Sequence, residues 1–127
     1  MTDLQHSEIT GSILECFFKV YNSLGYGFLE KVYERALIIE LRLAGLECSV
    51  QYPIKVYYEG EIVGDYFADI MVEGKVILEL KAADTLCEEH EFQLINYLKA
   101  TDVEVGLLLN FGKKPQFKRK AFSNHHN

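Results

Sequence analysis

No apolar run in the chain approaches the roughly 18 residues that a membrane-spanning helix needs, and no charged-then-apolar leader opens it. Neither membrane insertion nor secretion is expected, and the cytoplasm is the default location. Cysteine is also scarce. Cys16, Cys48 and Cys87 are odd in number, widely spaced and lack paired ligand spacing. This argues against a disulfide framework or a zinc site and leaves reduced core thiols. Positive charge is in deficit, with 13 basic residues against 19 acidic ones and a net charge of -6. Such a chain repels a polyanion at long range, so a nucleic-acid contact would need a local basic patch. Lys113, Lys114, Lys118, Arg119 and Lys120 offer one, all within the last fifteen positions. A solvated, charged edge strand accounts for them equally well. The terminal pair His125-His126 is assigned no role. Low-complexity linkers and internal repeats are missing too. The 127 residues, 49% of them hydrophobic, are therefore expected to form a single domain with one core.

Periodicity supplies the elements. Ile9, Ile13, Phe17, Val20 and Leu24 recur at helical spacing until Gly25, a C-terminal stop. A second helix opens near Gly27, with Leu29, Val32, Tyr33, Ala36 and Leu37 on its apolar face until Gly45. Three strand-like runs follow as a meander: Cys48 to Tyr58, Ile62 to Val72 and Val76 to Lys81. Glu59-Gly60 is the first turn, and Pro53 marks an edge or irregular position. Glu88 to Ala100 reads as a helix, with Phe92, Ile95 and Leu98/Lys99 near one stripe and His90, Gln93 and Tyr97 near another. The unbroken apolar run Val105 to Leu109 suits a buried strand beside Val76 to Lys81. Phe117 to Phe122 fits either a strand or a helix. The expected fold is α/β, a mixed central sheet flanked by helices.

Three charges stand where such a sheet tolerates none. Glu79 and Lys81 end the apolar run Val76-Ile77-Leu78, and Asp69 lies in phase with Val63, Phe67 and Met71 on a mostly apolar face. Strand alternation sends Glu79 and Lys81 to one face and Leu80 to the other. A three-residue loop at Glu73-Gly74-Lys75 pairs Val72 with Val76, sets Asp69 opposite Glu79 and puts Phe67 opposite Lys81. A two-residue turn would instead set Asp69 against Leu78 and separate the carboxylates. The longer loop is the expectation. Two carboxylates on adjacent strands suit a hard divalent cation such as Mg2+, which keeps several waters and accepts phosphate oxygens. The neighbouring ammonium can orient an attacking water or stabilise charge developing on phosphorus. A hairpin carrying a Lys-Glu ion pair would leave the same pattern.

Two further groups bear on the choice. Gln93 and Tyr97 are four residues apart and face the same way on a helix. Glu30 lies at the start of the second helix, where an acid also complements the helix dipole.

Taken in order, Gly27-x-x-Glu30-x-x-Tyr33, Asp69, Glu79-Leu80-Lys81 and Gln93-x-x-x-Tyr97 make the chain resemble the GxxExxY family, a branch of the PD-(D/E)XK nuclease superfamily. Gly106 to Gly112 and Phe117-Lys118-Arg119 extend the resemblance over about residues 8-122. It implies a restriction-endonuclease-like core and a Mg2+-dependent phosphodiesterase, with Mn2+ as a substitute and nucleic acid, foremost DNA, as substrate. Carried over by position, Asp69 and Glu79 would hold metal, and Lys81 would serve the attacking water. Glu30 would be an auxiliary acid, and Gln93 and Tyr97 would shape the site or touch the nucleic-acid backbone. The chain departs from the family at Phe67, where members often carry arginine. A catalytically silent module that binds nucleic acid or protein, or pairs as a homodimer, is the alternative.

Overall fold

The computed structural model describes residues 5-123, so the His125-His126 pair lies outside the described residues. Elements run α1 (Ser7–Leu24), α2 (Glu30–Leu43), β1 (Cys48–Tyr58), β2 (Glu61–Val72), β3 (Val76–Lys81), α3 (Glu88–Lys99), β4 (Val105–Phe111) and β5 (Pro115–Ala121). The strands form one mixed sheet in the order β1-β2-β3-β4-β5. The pair β3-β4 is parallel and every other pair antiparallel. A parallel pair needs a crossover, and α3 provides it.

Alternation divides the core between the two faces of the sheet. Val76, Leu78 and Leu80 of β3 join Leu107 and Leu109 of β4 against α1 and α2. Ile77 and Leu108 turn the other way and pack with Leu94, Tyr97 and Leu98 of α3. The result is an α/β/α arrangement, the expected class. Pro53 sits on the edge strand β1, where a missing N–H is tolerated.

Two helical stripes lie elsewhere than periodicity placed them. In α2 the buried face is Tyr33, Glu34, Leu37, Ile38 and Leu41, while Leu29 precedes the helix and is 78% exposed. Val32 is likewise exposed. The helix starts at Glu30 rather than near Gly27, because Gly27 has φ 112. It closes with a Schellman motif, Leu46 N–H donating to Leu41 O and Gly45 N–H to Arg42 O. In α3, Leu94, Tyr97 and Leu98 are buried and Phe92 is 57% exposed. Among the cysteines, Cys16 is buried in the core and Cys48 is half-buried against it, whereas Cys87 is exposed at the start of α3 and is not a core thiol. The closing segment Phe117 to Phe122 is strand through Ala121.

The β2-β3 hairpin adopts the longer loop. Val72 pairs with Val76, and Lys75 N–H donates to Val72 O at 2.9 Å. Glu73 and Gly74 both take positive φ, 56° and 64°. Pairing between β2 and β3 runs only to Ile70 and Leu78, whereas β1 and β2 stay paired out to Tyr58 and Glu61. The β1-β2 hairpin thus projects as an arm. Its exit point is marked twice: Gln51 takes φ 51°, and neither it nor Asp69 has a ladder partner between β1 and β2. The side-chain phase breaks there too. Ile70 packs against α1 and α2, but Ala68, two residues away, packs with α3. Val63 and Phe67, expected on an apolar face with Asp69 and Met71, are on the arm and mostly exposed, 62% and 53%. Phe67 pairs with Pro53 of β1 and not with Lys81.

Candidate functional site

Where β2 parts from β3, side chains replace the backbone ladder. Glu79 Oε2 accepts the Asp69 N–H at 3.0 Å, and Asp69 Oδ2 accepts the Leu80 N–H at 2.7 Å. Each carboxylate is therefore fixed by a main-chain donor of the other strand, which orients both without neutralising either. The second oxygen of each accepts no hydrogen bond among the described residues. Glu79 is 5% exposed and Asp69 half-buried.

The electrostatics follow from this crowding. Burial, reinforced by the Asp69 charge and by Glu30, pushes the Glu79 carboxyl up to about 8 against the opposing pull of the Asp69 N–H and Lys81. Asp69 is raised by burial and by Glu34 and Glu30, with the Leu80 N–H and Lys81 working the other way. Tyr97 is raised by burial and then by Glu79, with Gln93 opposing and Asp69 and Tyr66 adding to the rise. Glu30, Asp69, Glu79, Lys81 and Tyr97 thus share one electrostatic neighbourhood. Lys81, two residues beyond Glu79 and on its face, forms no ion pair among the described residues. The Lys-Glu pair that could have explained the motif structurally is not formed.

The helices supply the surroundings. Gln93 Nε2 donates to Tyr97 Oη at 2.9 Å, so the i,i+4 pair meets as its spacing implied. Glu30 sits exposed in the first turn of α2. Tyr33, the last residue of Gly27-x-x-Glu30-x-x-Tyr33, is fully buried and structural: its hydroxyl donates to Gly25 O at 2.7 Å and accepts from Phe28 N–H at 3.2 Å. Its ring stacks on Phe111 at 4.3 Å. Tyr33 therefore holds the α1-α2 loop that presents Glu30.

The basic residues spread from the β4-β5 turn along the edge strand β5. Lys113 and Lys114 lie just beyond β4, at the same end of the sheet as Lys81, which is level with Asn110. From there β5 runs back, so Lys118 is level with Leu108 and Lys120 with Gly106. Lys120 pairs with Glu91 at 2.6 Å, and Arg119 Nη2 donates to Gln5 O at 2.7 Å.

Two further residues, given no individual role by the sequence pattern, support the site. Glu34 is 7% exposed, pairs with Lys31 at 3.3 Å and lies within 3.5 Å of Gln51 Nε2. Its only signal was its place one turn after Glu30. Asn110, fully buried, accepts from Ala83 N–H and donates to Ala83 O, both at 2.9 Å. It anchors the chain just past Lys81.

The donor set suits a hard cation that keeps most of its waters. Asp69 and Glu79 offer two oriented, mutually repelling carboxylates, and among the described residues no group of three or more His, Cys, Asp or Glu gathers around a metal position. Two carboxylates match the usual protein contribution to a Mg2+ site.

The family model of the PD-(D/E)XK nuclease superfamily matches residues 7–120. No curated protein matches the chain. Among solved structures, the crystal structure of SSO0001 is similar at 17% identity with a TM-score of 0.59, over 74% of this chain and 50% of that one. The chain thus spans about half the length of that protein. An alkaline exonuclease from Laribacter hongkongensis aligns at 10% identity with a TM-score of 0.48, over 97% of this chain and 73% of that one. No described helix is long and apolar enough to cross a membrane.

Proposed function

Because the chain belongs to the PD-(D/E)XK nuclease superfamily, we propose that it is a metal-dependent nuclease that hydrolyses phosphodiester bonds at the Asp69-Glu79 pair. One observation carries this reading: the two carboxylates are locked across the opening between β2 and β3, each with one oxygen left over. Asp69 and Glu79 would hold the cation, Mg2+ with Mn2+ as a substitute. When bound, it supplies Lewis-acid polarisation of the phosphate and lowers the pKa of the attacking water.

The remaining residues act around that pair. Lys81 orients the attacking water and offsets charge on the phosphoryl oxygens. Glu30 is an auxiliary acid at the rim, presented by the Tyr33 clamp. Gln93 and Tyr97 act as one hydrogen-bonded unit that shapes the floor and touches the substrate backbone. Lys113, Lys114, Lys118, Arg119 and Lys120 would meet substrate phosphates, with Lys120 also paired to Glu91 and Arg119 to the Gln5 carbonyl. The GxxExxY branch, a single-domain organisation, a cytoplasmic location and DNA as the preferred substrate belong to the same reading.

A catalytically silent module, alone or as a homodimer, is favoured by exposed Phe67, which offers no cation where family members often carry one. Turnover separates the readings. End-labelled single- and double-stranded DNA and RNA, incubated with Mg2+, Mn2+ or chelator, should yield metal-dependent product from at least one substrate. No product from any of them would favour the module.

A further inference from the structure

Between the β1-β2 arm and α3 opens a cleft of about 830 Å3. Its size falls in the range of ligand sites, roughly 300–1,000 Å3. Tyr57, Tyr66, Phe92 and Tyr97 line it, so aromatic surface comes from both walls. Three of these are well exposed, Tyr57 at 62%, Phe92 at 57% and Tyr66 at 48%. Tyr97 joins the cleft to the carboxylates, whose charges it feels. Tyr66 stands over Tyr97, with ring centroids 5.8 Å apart. Gly64 makes room for that ring: a Cβ there would lie 3.0 Å from Tyr66 Cε2.

Charge does not organise this cleft. Lys55 is paired with Asp65 at 3.0 Å, and the lining otherwise holds one lysine, Lys99, and one acid, Glu89. A duplex presents about one phosphate per 1.7 Å of axis and keeps its bases stacked on one another. An unpaired strand instead offers bare base faces, on which aromatic side chains can stack whatever the sequence.

We propose that this cleft seats unpaired bases of a single-stranded polynucleotide, with Tyr66 and Phe92 as the stacking residues, and so feeds a single strand to the Asp69-Glu79 pair. The assignment of the strand as substrate rests on the nuclease reading above; the binding site does not.

The test is fluorescence anisotropy of a labelled oligothymidylate and of a duplex of equal length, in chelator so that nothing is cut. The single strand should bind at least about tenfold more tightly. Tyr66→Ala should weaken that binding roughly 5- to 100-fold, the loss of one base stack, while Tyr66→Phe keeps it. Phe92→Ala should weaken it in the same direction. Both side chains are about half exposed, so the variants should fold as the parent does. Equal or tighter duplex binding, or an unchanged Tyr66→Ala variant, would overturn the proposal. So would a wild type that binds no oligonucleotide but forms a dimer that Tyr66→Ala dissociates, because a second copy would then fill the cleft. Tyr66-dependent binding without cleavage of any substrate supports the cleft and removes the nuclease reading. Cleavage without Tyr66-dependent binding does the reverse.

Discussion

Replacing Glu79 by glutamine should stabilise the cation-free protein at alkaline pH and do little in acid. Burial and the Asp69 charge raise the Glu79 carboxyl from its ordinary 4.5 to about 8. A group raised in the folded state contributes stability that is fully present below its unfolded pKa and is lost as pH rises through the folded value. Glutamine keeps an oxygen to accept the Asp69 N–H but carries no charge at any pH. The raised value corresponds to a ceiling of about 5 kcal/mol near pH 8.5, against about 1 kcal/mol at pH 5. Asp69 titrates with Glu79 as a pair, so the measured gain should be of the order of 2 kcal/mol or more at pH 8.5. Urea unfolding of both proteins in chelator, at pH 5 and pH 8.5, gives the difference. Adding Mg2+ at pH 8.5 should then stabilise the wild type and leave Glu79→Gln nearly unchanged. Equal destabilisation of Glu79→Gln at both pH values would refute the reasoning, because Glu79 would then be a satisfied structural group.

Other expectations follow from the supports around the site. Tyr33→Phe removes the two hydrogen bonds that the Tyr33 hydroxyl makes to the α1-α2 loop and should lower stability by about 1–3 kcal/mol in urea unfolding. Asn110→Ala strands the N–H and C=O of Ala83, at a cost of about 2–4 kcal/mol by the same measurement. Gly112→Ala would put a Cβ 2.2 Å from Ala83 O, and because that is backbone the loss should be about 3 kcal/mol, read as a lowered melting temperature.

The hairpin register was legible because the loop and strand alternation both constrain it: a slip of one residue would have reversed every side chain of β3. Placement of β3 beside β4 followed from the unbroken apolar run of β4, which only a covered strand can hold. The helical stripes were less legible. Phe92 and Leu94 are both apolar and two residues apart, so composition alone does not say which faces the sheet, and tertiary packing chose Leu94. The phase break at Asp69 left no sequence signal, since its partner in the break is Gln51, a non-glycine residue at positive φ. That break is what turns Asp69 out of the ladder and toward Glu79.

Hydrolysis of end-labelled nucleic acid by wild type, Asp69→Asn and Lys81→Met, each shown folded by circular dichroism, is the most direct test. The nuclease reading predicts a cation-dependent product from wild type that chelator abolishes, and a loss of at least about 100-fold in both variants. Product that persists in either variant, or appears equally in chelator, would contradict it.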